Sequence, residues 1–88
     1  MADRSTDKFY RHTERGTVNV IYIPDNWPID DDGDLLGYGS TRLVSNDSEI
    51  DVLWFSRSLL TEEISEAEAH ELHPALFEHL DKIDHSAA

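Results

Sequence analysis

Thr17-Val18-Asn19-Val20-Ile21-Tyr22-Ile23 and Ile50-Asp51-Val52-Leu53-Trp54-Phe55 are the two stretches that decide the fold. Both are rich in β-branched and aromatic residues, and the first ends at Pro24, so both read as strands. A strand with one wet face alternates apolar and polar side chains. These two do not. Val18, Val20 and Tyr22 share one face of the first strand, while Ile21 and Ile23 share the other. Ile50, Val52 and Trp54 lie together in the second, with Leu53 and Phe55 opposite. A sheet built around them needs cover on both sides.

Outward from the first strand, Phe9-Tyr10-Arg11-His12-Thr13 reads as its hairpin partner. Glu14-Arg15-Gly16 is then a three-residue loop in which Gly16 takes a positive φ. Residues 1–8 are polar and expected to be disordered. Pro24 to Leu36 reads as a long polar loop carrying Asp30-Asp31-Asp32-Gly33-Asp34. A further strand is expected from Tyr38 to Val44, with Gly37 and Gly39 marking a bulge or a close backbone approach. Ser45-Asn46-Asp47-Ser48 has turn composition.

The C-terminal third reads as helical. Ser65-Glu66-Ala67-Glu68 matches a capping box, in which the serine hydroxyl and the glutamate each meet an orphan backbone N–H. Glu62, Glu63, Glu66 and Glu68 crowd the N-terminus of that helix, where its dipole favours negative charge. Pro74 drives His73 out of the α region and suits the first turn of a second helix, Ala75 to Ile83. Leu72, Leu76, Leu80 and Ile83 recur at helical spacing, and Phe77 widens the stripe. The expected fold is α+β: a small antiparallel sheet of three to four strands, with a C-terminal helix kinked or split near Pro74 packed on one face. It forms a single acidic domain over residues 1–88.

One helical stripe covers one sheet face. The other must be covered by the N-terminal segment, by the loop residues Trp27, Ile29, Leu35 and Leu36, or by another chain. At about 25 cal/mol per Å² of apolar surface, leaving several such side chains wet forfeits several kcal/mol. Residues 1–88 are too few to hold two cores, and the stability margin at this size is thin. Tyr22, Trp27, Tyr38, Trp54 and Phe55 are therefore the candidate contacts for a protein partner or for a second copy of the chain.

Composition narrows the alternatives. The chain carries 19 acidic residues against 7 lysines and arginines, for a net charge of −12. Nucleic-acid affinity comes from neutralising phosphates with basic residues, so direct nucleic-acid binding is disfavoured, and anionic membranes are disfavoured likewise. With no cysteine, disulfides are excluded and a reducing compartment fits. The opening residues lack the apolar run of a secretory signal, and no stretch reaches the roughly 18 apolar residues of a membrane span. The expected location is the cytoplasm.

Chemistry-bearing motifs are weak. Placing Asp30, Asp32 and Gly33 in a calcium-loop register puts Pro28 at the first ligand position and Gly39 where a bidentate glutamate belongs, so that register fails. His70 and His73 are three apart, but Pro74 breaks the helix that would present both to zinc. There is no Gly-x-Ser-x-Gly elbow, and Gly37-Tyr38-Gly39-Ser40-Thr41 lacks the lysine of a phosphate loop. No catalytic, cofactor or metal residues are assigned. The expected function is a non-catalytic interaction or regulatory module that uses an apolar sheet face and aromatics. The alternative is an acidic nucleic-acid mimic or inhibitor that occupies a partner's basic groove.

Overall fold

A computed structural model describes residues 7–25, 27–40 and 49–87. In chain order the elements are β1 (Lys8–Glu14), β2 (Thr17–Ile23), β3 (Leu35–Ser40), β4 (Ile50–Phe55), a 3₁₀ turn (Arg57–Leu59), β5 (Glu63–Ile64), α1 (Glu66–Leu72) and α2 (Pro74–Ala87). The strands form one sheet in the order β4-β3-β2-β1-β5, and every pairing is antiparallel. The fold is α+β, with the helices C-terminal to the sheet. No helix among the described residues is long and apolar enough to cross a membrane. The disorder expected for residues 1–6, the strand residues 41–44 and the turn at 45–48 fall outside the described residues.

Several expectations need correction. Asp7 and Lys8, read as part of a disordered tail, are placed: β1 starts at Lys8, and the Asp7 carboxylate accepts from the Tyr22 hydroxyl and the Asp25 amide. The β1–β2 loop has two residues rather than three, because Glu14 pairs directly with Thr17. Arg15 and Gly16 both have positive φ, 51° and 80°. That is the type I′ geometry whose twist matches the flanking strands.

β3 begins at Leu35, so the polar loop is shorter than expected. Asp30 closes it: its Oδ1 accepts from the amides of Asp32 (3.0 Å) and Asp34 (2.8 Å), and Ile29 bridges Leu35 across the base. A fifth strand was not anticipated. Glu63 and Ile64 continue the sheet beyond β1, so Glu62 and Glu63 do not belong to a helix N-terminus. Two residues with no visible alternation carry no strand signal of their own; pairing with an already formed edge makes them a strand.

The helices split where Pro74 requires it, with His73 as the C-cap of α1 and Pro74 opening α2. Ser65 Oγ accepts from the Glu68 amide at 3.1 Å, which supplies the serine half of the expected capping box, while the Glu68 carboxylate accepts from Arg11. The second helix runs past Ile83 to Ala87.

Two apolar clusters lie on opposite faces of the sheet. On the helical face, Phe9, Val20, Tyr22 and Tyr38 meet Ala69, Leu76, Phe77 and Leu80, with Phe9 stacked between Tyr22 and Phe77. On the other face, Ile21, Ile23 and Phe55 are buried under Tyr10, Leu35, Leu53, Leu59 and Leu60. The chain thus covers its own second face. Of the arm and loop residues expected to cover it, Tyr10 and Leu35 do so, Leu35 from β3 itself, while Phe9 and Trp27 pack on the helical face and Ile29 stays exposed. The rest comes from the 3₁₀ turn, whose N-cap Ser56 accepts from the Ser58 amide and brings Leu59 and Leu60 back under β4.

The two strand glycines explain themselves on that face. A Cβ on Gly39 would stand 2.6 Å from Phe55 Cζ, and one on Gly37 would stand 2.6 Å from the Tyr22 carbonyl oxygen. Of the two anticipated readings, close approach is the one observed.

Candidate functional site

Val18, Ile29, Leu72, Val52 and Trp54 are the large apolar residues left exposed, and of these Val52 and Trp54 stand together, on the helical face at the β4 edge. Strand parity puts Ile50, Val52 and Trp54 on that face, opposite Ser40, Tyr38 and Leu36 of β3. Ile50 packs against the helical core. α2 reaches as far as Ile50, where Glu49, Ile50, Ala75, Glu78, His79 and Lys82 line an open cleft of about 420 Å³. Beyond it Val52 and Trp54 remain 39% and 45% exposed. Trp27 extends the patch, tilted on Tyr38 at 5.1 Å between ring centroids, and half-buried Leu36 completes it.

β4 also ends the sheet. Among the described residues no strand pairs with its outer side. In an antiparallel pair successive residues direct their N–H and C=O groups to opposite sides. The Leu36 amide of β3 donates to the Pro28 carbonyl, away from β4, and the Val52 amide donates to the Asp51 carboxylate, Oδ1 at 2.8 Å. Ile50, Val52 and Trp54 therefore present their backbone groups to the open edge. The opposite edge differs: β5 is two residues long and flanked by charge, as natural sheet edges usually are.

Of the five candidate contact residues, the structure leaves Trp54 exposed and Trp27 half-buried against Tyr38, and gives Tyr22, Tyr38 and Phe55 to the core. Tyr22 and Tyr38 are buried in the helical-face cluster, and Phe55 is fully buried on the opposite face. Val52 and Leu36 lie in the patch but are not among the five candidate contacts: the sequence reads Leu36 as loop cover for the second face, and Val52 looks identical to a core strand valine until the reach of α2 is known. For metal chemistry, Asp30 is occupied by backbone amides, and among the described residues no three His, Asp or Glu side chains gather as ligands.

A scan against protein-family models and searches of curated proteins and of solved structures found no match to this chain. The functional reading rests on its own geometry.

Charge is organised away from the patch as well. Arg11, on β1, donates from Nε and Nη2 to the Glu62 carboxylate and from Nη1 to Glu68 of α1, tying β5 and the first helix to the sheet. The Arg11 hydrogen bond and charge hold the Glu62 carboxyl below its ordinary range. Burial likewise holds the His73 imidazole below its ordinary value. Both shifts mean that the unfolded chain takes up protons more readily than the folded one, so stability is complete at neutral pH and falls with acidification. The His73 contribution fades first, below the ordinary histidine range, and the Glu62 contribution below the ordinary carboxylate range. Arg11→Gln is expected to lower the thermal midpoint at pH 7, and the difference from the unmodified chain should shrink as the pH falls below the ordinary carboxylate range. A difference that persists unchanged at pH 3 would show that Arg11 acts through packing alone.

Proposed function

We propose that this chain is a non-catalytic interaction module that docks another protein along β4, with Trp54 as the anchor. One observation carries the reading: Val52 and Trp54 stand exposed side by side on an edge strand whose outer backbone groups have no strand partner among the described residues. Large aromatics at the centre of a docking surface contribute disproportionately to affinity. Backbone pairing along an open edge adds direction and register. What a partner removes from water here is the surface still exposed on Val52 and Trp54, at about 25 cal/mol per Å².

The test is photo-crosslinking with benzoylphenylalanine placed at position 54 or at position 18. Val18 is likewise exposed but belongs to β2, on a different part of the sheet. In an extract of the source cells a discrete adduct is expected from position 54 and not from 18. Adding Val52→Ser should remove it. Equal adducts at both positions, or none at 54, would rule out docking at β4. Loss on neutralising Glu66 and Glu71, with indifference to Val52, would favour the acidic-mimic alternative instead.

A further inference from the structure

We infer that the segment docked on β4 is an extended strand of another protein in which basic residues alternate with apolar ones. This inference deepens the proposed docking function and rests on it. Three observations specify the occupant.

The first is shape. β4 offers a run of six residues, Ile50–Phe55, with one side paired to β3 along its whole length. A surface of this form accepts a strand through main-chain pairing, which requires an extended partner. A helix laid on Val52 and Trp54 would leave the outward carbonyls of β4 unmet, whereas a strand meets them and displaces the Asp51 carboxylate from the Val52 amide.

The second is parity. Val52 and Trp54 lie on one face, and Asp51 lies between them on the other. A strand added beside β4 places its own residues in the same alternation, so every second side chain meets the apolar pair. Those between meet the Asp51 side. That carboxylate, exposed and held only on its neighbour's amide, is in position to pair with a lysine or arginine.

The third is the charge at the two ends of the strand. At its start, Glu49 and Glu78 line the cleft beside Ile50. At its finish, the Asp30–Asp34 turn is tied to Arg57, whose Nε donates to the Gly33 carbonyl at 3.1 Å. Lys82 shares the first cleft and Arg57 the second end, so each end carries both signs, and the acids closest to the added strand are Glu49 and Asp51 of the β4 edge itself. A chain of net charge −12 also repels its own copies. Two copies joined at β4 would each bring Glu49 and Asp51 to the seam. A basic partner meets the same groups favourably.

The experiment uses the full chain and three fluorescein-labelled heptapeptides, blocked at both ends, read by fluorescence anisotropy. One alternates four lysines with three valines. The second replaces each lysine by glutamate. The third has the composition of the first with its lysines and valines in separate blocks. The alternating lysine peptide is expected to bind at least tenfold more tightly than either of the others. Trp54→Ser should weaken it at least tenfold, Asp51→Asn severalfold, and Val18→Ser not at all, with circular dichroism confirming that each variant is folded.

Equal binding of the block peptide would overturn the strand geometry. Equal binding of the glutamate peptide would overturn the basic preference. Indifference to both Trp54→Ser and Asp51→Asn would overturn the location. A stable dimer by light scattering that Trp54→Ser dissociates would make a second copy the occupant. If position 54 captures a partner in extract while the lysine peptide fails, only this inference falls; if position 54 captures nothing, the docking function itself falls.

Discussion

Phe55→Ala is expected to lower the unfolding free energy by about 3–5 kcal/mol, while Trp54→Ala, one residue earlier in the same strand, should cost about 1 kcal/mol or less. Both are large aromatics on β4, and hydropathy does not distinguish them. The Phe55 side chain is fully buried, and its ring lies over Gly39, which has no side chain with which to refill the space. Leu53, Leu59 and Leu60 surround it and are held by the strand and the 3₁₀ turn. The hole left by alanine therefore stays largely open, and a retained cavity adds to the lost transfer energy. A domain of this size has a total stability on the order of 5–10 kcal/mol, so Phe55→Ala brings it close to unfolding at 25 °C. Trp54 already exposes nearly half of itself. Urea titrations followed by circular dichroism give both numbers. A loss below about 1.5 kcal/mol for Phe55→Ala would mean that the second face is not the core described here.

The contrast between these two residues locates what the sequence could and could not convey. That β2 and β4 are strands, and that each is apolar on both faces, follows from residue type and parity alone. So do the helix start at Ser65 and the break before Pro74, which local backbone chemistry dictates. The step from two apolar faces to an unfilled second face does not follow. It assumed that only the arm, the long loop or another chain could supply cover. Leu59 and Leu60 supply much of it from a single 3₁₀ turn, too short to show any period.

The converse error concerns the helical face. An amphipathic stripe indicates that a helix covers a sheet but not how far across the sheet it extends. The stripe of Leu76, Phe77 and Leu80 centres on Phe9, Tyr22 and Tyr38, and it leaves Val52 and Trp54 beyond its margin. The site of interest therefore lies on the face that sequence reasoning regarded as closed. Trp54 was named as a candidate for a different reason, as one of the aromatics that an uncovered sheet would expose. Edge position, the other half of the argument, depends on strand order, which pairs β3 between β2 and β4 and cannot be read from spacing.

Gly37→Ala is expected to destabilise the fold by about 2–4 kcal/mol, against the direction that propensity alone predicts, since alanine in a strand normally gains up to about 1 kcal/mol over glycine. The added methyl would sit 2.6 Å from the Tyr22 carbonyl oxygen and would also run into the Ile23 side chain. The isoleucine tip can turn aside. The carbonyl cannot, because Tyr22 pairs with Tyr38 at the junction of β2 and β3, and relief requires the strands to part. Overpacking of this kind typically costs about 1–3 kcal/mol, with the strained ladder adding to it. Gly39→Ala is also expected to destabilise, but its obstacle is the Phe55 ring, a side chain. The two therefore separate in double-mutant cycles. Phe55→Leu should recover part of the Gly39→Ala loss, giving a coupling above about 0.5 kcal/mol, because shortening the ring opens the space the methyl needs. Ile23→Val should recover almost nothing of the Gly37→Ala loss, because the backbone oxygen stays where it was. Rescue of Gly37→Ala by Ile23→Val would place the obstruction in the side chain and show that β2 and β3 approach less closely at this point than described.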